Sequence, residues 1–255
     1  EYDIRGIIGE TLGADDARAI GRGFGTMLAE AGGKKVAVGY DGRVSSPMLE
    51  HALVEGLNAS GMDVVRIGMG PTPMLYFAVK DTKADAGVMV TGSHNPPDYN
   101  GMKFVREKSR PISADTGLQE IQAFAAQNEF AGGASKGSVT ELDIKSDYIH
   151  HLLSYVDTET LSPLKIVVNA GNGGASPIVD LLERNLPFEF IKLHHEPDGT
   201  FPNGVPNPMV EANRQSTIDR IKDTGADLGI AWDGDFDRCF LFDEQGRFIE
   251  GYYIV

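Results

Sequence analysis

Three aspartates at alternating positions, Asp233, Asp235 and Asp237, stand in the run DGDFDR. Carboxylates this close together cannot all be buried unpaired. Wrapped in a loop, they present hard oxygens to one divalent cation. Arg238 follows directly, and a cationic fork beside a metal suits phosphate oxygens. An EF-hand loop is the obvious competitor, because Glu244 stands where its last ligand would. That loop needs a glycine where Arg238 stands and helices on both sides, whereas strand-like runs flank this segment. A plain solvated acidic turn is the bland alternative.

A second segment, TGSHNPPDYNGMK at residues 91–103, follows an apolar run. Gly92 lets backbone approach a ligand closely, the pair Pro96-Pro97 stiffens the chain after Ser93, and Asn100-Gly101 predicts a turn. A serine on a stiff loop can act as a nucleophile or carry a phosphate, with His94 and Lys103 as a nearby proton acceptor and cation. The competing reading is an ordinary turn, since these are turn residues. Two arginines, in Tyr2-Asp3-Ile4-Arg5-Gly6 and in Tyr40-Asp41-Gly42-Arg43, lie in expected loops close to an aromatic residue. Their forks could bind phosphate, although single arginines more often sit in surface ion pairs. Gly21-Arg22-Gly23-Phe24-Gly25 lies inside a helical pattern, so it is no dinucleotide loop. The turn from Asn169 to Gly174 could hold an anion at a helix N-terminus but reads first as a plain strand-to-helix turn. His150-His151 and His194-His195 read as surface histidines, and Trp232 as packing.

These loops need a scaffold, and the apolar pattern supplies an α/β one. Residues 35–40, 64–68 and 86–90 read as strands, with helical spacing over residues 15–31 and 45–60. Ser46-Pro47 predicts an N-cap followed by a first-turn proline. Strands separated by helices argue for βαβ units and a mostly parallel sheet. Small residues at 131–140 mark a boundary, after which a second series begins: strand 165–169, helix 176–184, strand 188–192, helix 216–224 and strand 227–232. Residues 239–242 and 247–249 form an expected hairpin around Glu244-Gln245-Gly246. Residues 252–255 read as the start of a further helix, which suggests a fragment. The fold class is therefore α/β, with tandem mixed, mostly parallel sheet domains flanked by helices. Net charge is −14, which argues against nucleic acid as a partner but not against a small anion in an arginine-lined cleft. No apolar run approaches the roughly 20 residues of a membrane span, and the N-terminus lacks a signal-peptide pattern. With Cys239 as the lone cysteine, the expected setting is the cytoplasm.

Together, residues 91–103, 233–238 and 2–6 resemble the phosphoserine loop, metal loop and N-terminal signature of the α-D-phosphohexomutase superfamily. Residues 194–204 (HHEPDGTFPNG) and Pro206-Asn207-Pro208 are similar to its bacterial phosphomannomutase/phosphoglucomutase branch. The resemblance implies domain 1 at 1–140 with the phosphoserine loop, domain 2 at 141–241 with the metal loop, and the opening of a truncated domain 3 at 242–255. It further implies interconversion of mannose 1-phosphate and mannose 6-phosphate, or of the glucose phosphates, through phospho-Ser93 and a hexose 1,6-bisphosphate, which also serves as activator. Mg2+ would sit on Asp233, Asp235, Asp237 and Ser93. Lys103 would be the leading base, assisted by His94 and Arg5, provided that cations such as Arg5 and Arg238 lower its pKa. Arg238 joins the catalytic set, and Tyr2, Arg5, Arg43 and Lys103 are expected at the substrate. A phosphatase with an aspartate nucleophile, or a sugar-phosphate sensor without catalysis, are the other readings.

Overall fold

The computed structural model describes residues 3–127 and 135–254. Tyr2 and part of the expected boundary, residues 131–134, lie outside the described residues.

Two sheets organise the chain. The first is built from β1 (Asp3–Ile7), β2 (Lys35–Tyr40), β3 (Asp63–Met69), β4 (Ala86–Val90), β5 (Tyr99–Arg106), β6 (Arg110–Pro111) and β7 (Val139–Glu141). Its order is β1-β5-β4-β2-β3-β7, with β6 on β5. The pairs β4–β2, β2–β3 and β3–β7 are parallel, and β5 runs antiparallel to β1, β4 and β6. The all-apolar β4 is buried at every position, as a strand covered on both faces must be.

Helices cover both faces. On one side α1 (Ala14–Glu30), α2 (Ser46–Ala59) and α4 (Leu118–Gln127) pack a core that includes Phe24, Leu53, Leu57, Val88, Phe104 and Ile121. Phe24 meets Phe104 edge-on at 5.0 Å. On the other, α3 (Thr72–Asp81) and α5 (Lys145–Leu153) pack Leu75, Val79, Met89, Val105 and Ile149. Ile178, from α6 (Ser176–Glu183), joins this second core, so the two sheet units share buried apolar surface, the main favourable term in holding them together.

The second sheet comprises β8 (Lys165–Asn169), β9 (Glu189–Leu193), β10 (Leu228–Trp232), β11 (Cys239–Phe242) and β12 (Phe248–Ile249), in the order β12-β11-β10-β8-β9. The pairs β10–β8 and β8–β9 are parallel, and β11 turns back antiparallel. α7 (Gln215–Thr224) closes one face over Val167, Ile221 and Phe242. Among the described residues no helix is long and apolar enough to cross a membrane.

The α/β class, the strand-helix alternation and the hairpin at β11 and β12 follow the sequence reading. Three local expectations do not. Asn100-Gly101 is no turn: it lies within β5, opposite Gly6 and Arg5. Buried Asn100 spends its amide on Ser45 Oγ at 2.8 Å and Ser46 Oγ at 2.9 Å, contacts that a short-range turn rule ignores. Ser46 is not the N-cap of α2: Ser45 holds that position, and the Ser46 hydroxyl donates to Asp41 at 2.6 Å. After β12 the chain makes only a short 3-10 turn, Gly251–Tyr253, with Val255 outside the described residues.

Candidate active site

The segment after β4 carries Ser93 at the C-terminal edge of parallel strands, where α/β folds collect their sites. Ser93 is 2% exposed and adopts φ 47°, a left-handed conformation that costs a non-glycine residue about 1–3 kcal/mol. Three contacts hold it there. The Ser93 amide donates to Thr91 Oγ1 at 2.8 Å, and Thr91 Oγ1 donates to Asp41 Oδ2 at 2.8 Å. The Gly92 amide also donates to Asp41 Oδ2, at 3.1 Å. Burial raises the Asp41 carboxyl pKa, with Arg43 and the hydrogen bonds pulling the other way.

Arg43 completes this support. Its guanidinium donates to the carbonyls of Pro96 (2.6 Å), Tyr99 (2.9 Å), Ser93 (2.9 Å) and Asn95 (2.6 Å). Gly92 lies flat on it: a Cβ there would fall 2.3 Å from Arg43 Nε. The expectation that Arg43 meets substrate is thus corrected. It is 2% exposed, and its fork is consumed by the loop that it shapes.

The second sheet delivers the acidic run between β10 and β11. Ser93 Oγ donates to Asp233 Oδ2 at 2.9 Å, receives Arg238 Nη2 at 3.0 Å and lies 3.2 Å from His94 Nδ1. Arg238 Nη2 also reaches Asp233 Oδ2 at 2.6 Å and contacts His94 Nδ1. Asp235 accepts from Thr72 Oγ1 and Lys103 Nζ, each at 2.6 Å, and Lys103 Nζ lies 2.5 Å from Asp237. Arg5 binds Asp3 at 2.6 Å and the Thr91 carbonyl at 3.0 Å. The structure therefore gathers Ser93, His94, Lys103, Asp233, Asp235, Asp237 and Arg238 by direct contact, with Arg5 on the adjoining strand β1. Tyr2 lies outside the described residues.

The acidic cluster suits a hard divalent cation. Asp233, Asp235 and Asp237 each offer an oxygen within 4.8 Å of the others, and Asp235 Oδ1 is buried with no hydrogen-bond partner among the described residues. An orphaned carboxylate oxygen is costly unless a cation takes it. Burial, then repulsion from Asp235 and Asp237, pushes the Asp233 carboxyl up to about 7. Burial also works against the Asp235 charge, but Lys103 and Thr72 hold that carboxyl below its usual range. Burial, Arg238 and Arg5 lower the His94 pKa.

Lys103 departs from expectation. A lowered pKa was required for a base, yet its pKa is raised: burial disfavours the ammonium, but Asp235 and Asp237 outweigh it. Two carboxylates within 2.6 Å of Lys103 Nζ set the direction of its shift. Sequence reasoning also missed Asp41, Thr72 and Thr91. Asp41 was quoted only as a neighbour of Arg43, and its position just after β2 was the available signal.

The chain is similar to known proteins over its whole length. Residues 1–132 match the phosphoglucomutase/phosphomannomutase alpha/beta/alpha domain I family, and residues 146–246 match its domain II. A Xanthomonas campestris pv. campestris protein named for phosphohexose mutases is 55% identical over 254 residues, covering all of this chain and 56% of its own. A phosphomannomutase of Salmonella montevideo is 51% identical over 261 residues, with 57% of its length covered. The crystal structure of a phosphoglucomutase/phosphomannomutase family protein from Burkholderia thailandensis superposes with a TM-score of 0.91 at 41% identity, covering 97% of this chain and 55% of that one. The chain spans little more than half the length of these relatives.

Proposed function

The chain belongs to the phosphoglucomutase/phosphomannomutase family, and from that premise we propose that Ser93 is the phosphoryl carrier of a phosphomannomutase. The observation that carries this reading is the pairing of the strained Ser93 hydroxyl with Arg238 and Asp233 in one contact set. Mannose phosphates are the first choice of substrate because the Salmonella montevideo relative bears that name. A broader mannose and glucose specificity is the second, favoured by the relative named for phosphohexose mutases.

In the forward half-reaction the phosphoryl group leaves phospho-Ser93 Oγ for the free hydroxyl of a hexose monophosphate, whose proton ends on Ser93 Oγ, giving a hexose 1,6-bisphosphate. In the return, Ser93 Oγ attacks the other phosphate as its bond to the sugar oxygen breaks, and the serine proton passes by way of Asp233 or His94, the two acceptors within reach, to that oxygen, giving the isomeric hexose monophosphate and phospho-Ser93. Arg238 places its fork on Ser93 Oγ, where charge on the moving group must be neutralised. Lys103 and Arg5 add positive charge beside the loop, with Lys103 protonated. Bound Mg2+, on Asp233, Asp235, Asp237 and Ser93, would supply further neutralisation of the transferring oxygens. We place the activity in the cytoplasm, where the exposed thiol of Cys239 would stay reduced.

Intact mass before and after incubation with glucose 1,6-bisphosphate and Mg2+ tests this. The expected result is a gain of about 80 Da, one phosphoryl group, mapped to Ser93 and absent in Ser93→Ala. No gain in the full-length protein, with Ser93 unmodified as purified, would leave the phosphatase or the sensor.

A further inference from the structure

Residues 194–204 take no part in the chemistry described above, yet they are tightly built. The loop leaves β9 and is fastened by buried Asn172. The Asn172 amide donates to the His194 carbonyl at 2.7 Å, and its side chain donates to the Glu196 carbonyl at 2.8 Å. Asp198 N returns to the Asn172 carbonyl at 2.9 Å, and Asn203 Nδ2 donates to Asn172 Oδ1 at 2.9 Å. At the tip, Gly199 lies against the first sheet unit, where a Cβ would fall 2.3 Å from Val44 N. Phe201 follows, 6% exposed and at φ 51°, a conformation that bulky residues rarely hold. The Arg43 guanidinium carbon lies 5.0 Å from the centre of its ring.

We propose that Phe201 is a positioning residue for Ser93, acting from the second unit through Arg43, an assignment that rests on Ser93 being the phosphoryl carrier. The negative face of an aromatic ring attracts a guanidinium, most strongly where water is excluded. Arg43 is in that situation. Its fork is committed to four carbonyls of residues 93–99. Among the described residues Nε is buried without a hydrogen-bond partner, and the Asp41 carboxylate lies 3.4 Å from it. The ring offsets the desolvation of that charge and fixes the plane of the fork. Because the fork sets the Ser93 backbone, docking of the second unit tightens the nucleophile loop of the first.

The test uses the full-length protein with Phe201→Leu, which keeps apolar bulk, and Phe201→Tyr, which keeps the ring. Amide hydrogen exchange over residues 92–99 should be about thirtyfold faster in Phe201→Leu, the factor expected for losing a desolvated cation–π contact. Phe201→Tyr should restore the native rate. Transfer from glucose 1,6-bisphosphate to Ser93 should slow by a similar factor in Phe201→Leu. Native exchange at 92–99 in Phe201→Leu would overturn the proposal. So would faster exchange spread evenly over the fold, or a Phe201→Tyr variant no better than Phe201→Leu. A wild-type protein that takes no phosphoryl group would remove the mutase reading, while the exchange data would still decide whether Phe201 orders the loop.

Discussion

Replacing Lys103 with methionine should tighten divalent-cation binding at the aspartate cluster. Lys103 Nζ sits 2.6 Å from Asp235 Oδ2 and 2.5 Å from Asp237 Oδ2, so its charge already occupies two of the three carboxylates. A hydrogen bond involving charged groups contributes about 1.5–3 kcal/mol net. The Asp237 side chain is 26% exposed, which puts its bond at the weak end of that range through solvent screening. The Asp235 side chain is fully buried and dominates. A cation that takes Asp235 from the lysine forfeits one such bond, and at about 1.4 kcal/mol per decade its absence in Lys103→Met is worth roughly ten- to a hundredfold in affinity. Methionine preserves much of the apolar stem, so the packing changes little. The readout is built in: Trp232, the single tryptophan, stacks on Phe236 at 4.9 Å and 9° inside the aspartate loop. Titrating Mg2+ against Trp232 fluorescence, with melting curves to confirm the fold, measures both proteins. An unchanged or weaker affinity in Lys103→Met would refute the view that lysine and metal compete for the same carboxylates.

Two further outcomes are expected. In Gly92→Ala the new methyl group would meet Arg43 Nε at 2.3 Å and Cζ at 2.4 Å, and the fork cannot retreat without breaking its carbonyl bonds. Overpacking of this kind costs about 1–3 kcal/mol, a fall in Tm of roughly 2–12 °C at this chain length; unchanged melting would show that the arginine is free to move. Asp63 accepts Ser138 N and Oγ, each at 2.7 Å, and these bonds hold its carboxyl below its ordinary value of 3.8. The unfolded chain therefore takes up that proton first, so the contribution is present above about pH 4 and is lost as pH falls through the lowered folded value. Asp63→Asn should flatten the acid limb of the stability curve there, and an identical acid limb in the variant would sink the linkage.

The sequence was most informative where chemistry is local. Asp233, Asp235 and Asp237 lie within one loop, and Ser93 sits on a stretch whose composition already implies rigidity, so residue type and spacing marked both as candidates, and the family resemblance was needed to prefer them to plain turns. What could not be read depends on distant partners. Thr72 meets Asp235 across 163 positions and Arg43 meets the Asn95 carbonyl across 52, and no short-range pattern encodes either. A guanidinium satisfied by four carbonyls looks, in sequence, like one waiting for a phosphate. The same blindness turned Asn100-Gly101 into a turn, because the signal for β5 is its pairing with β1 and β4. α5 escaped notice because its apolar face, with Tyr148 and Ile149, has a mate only once α3 and the sheet are in place.

The bond from Ser93 to Asp233 joins residues 140 positions apart, and this separates the parts of the site in time. At about 5–20 residues per second of synthesis, some 7–28 s pass between the appearance of the serine and that of its carboxylate partner. During that interval β5, β6 and β7 complete the first sheet, which can close around the Ser93 loop, while nothing yet carries the aspartates. A nascent chain thus holds the Ser93 loop before the aspartate cluster exists, and the contact between them forms only when the second sheet is finished and seated.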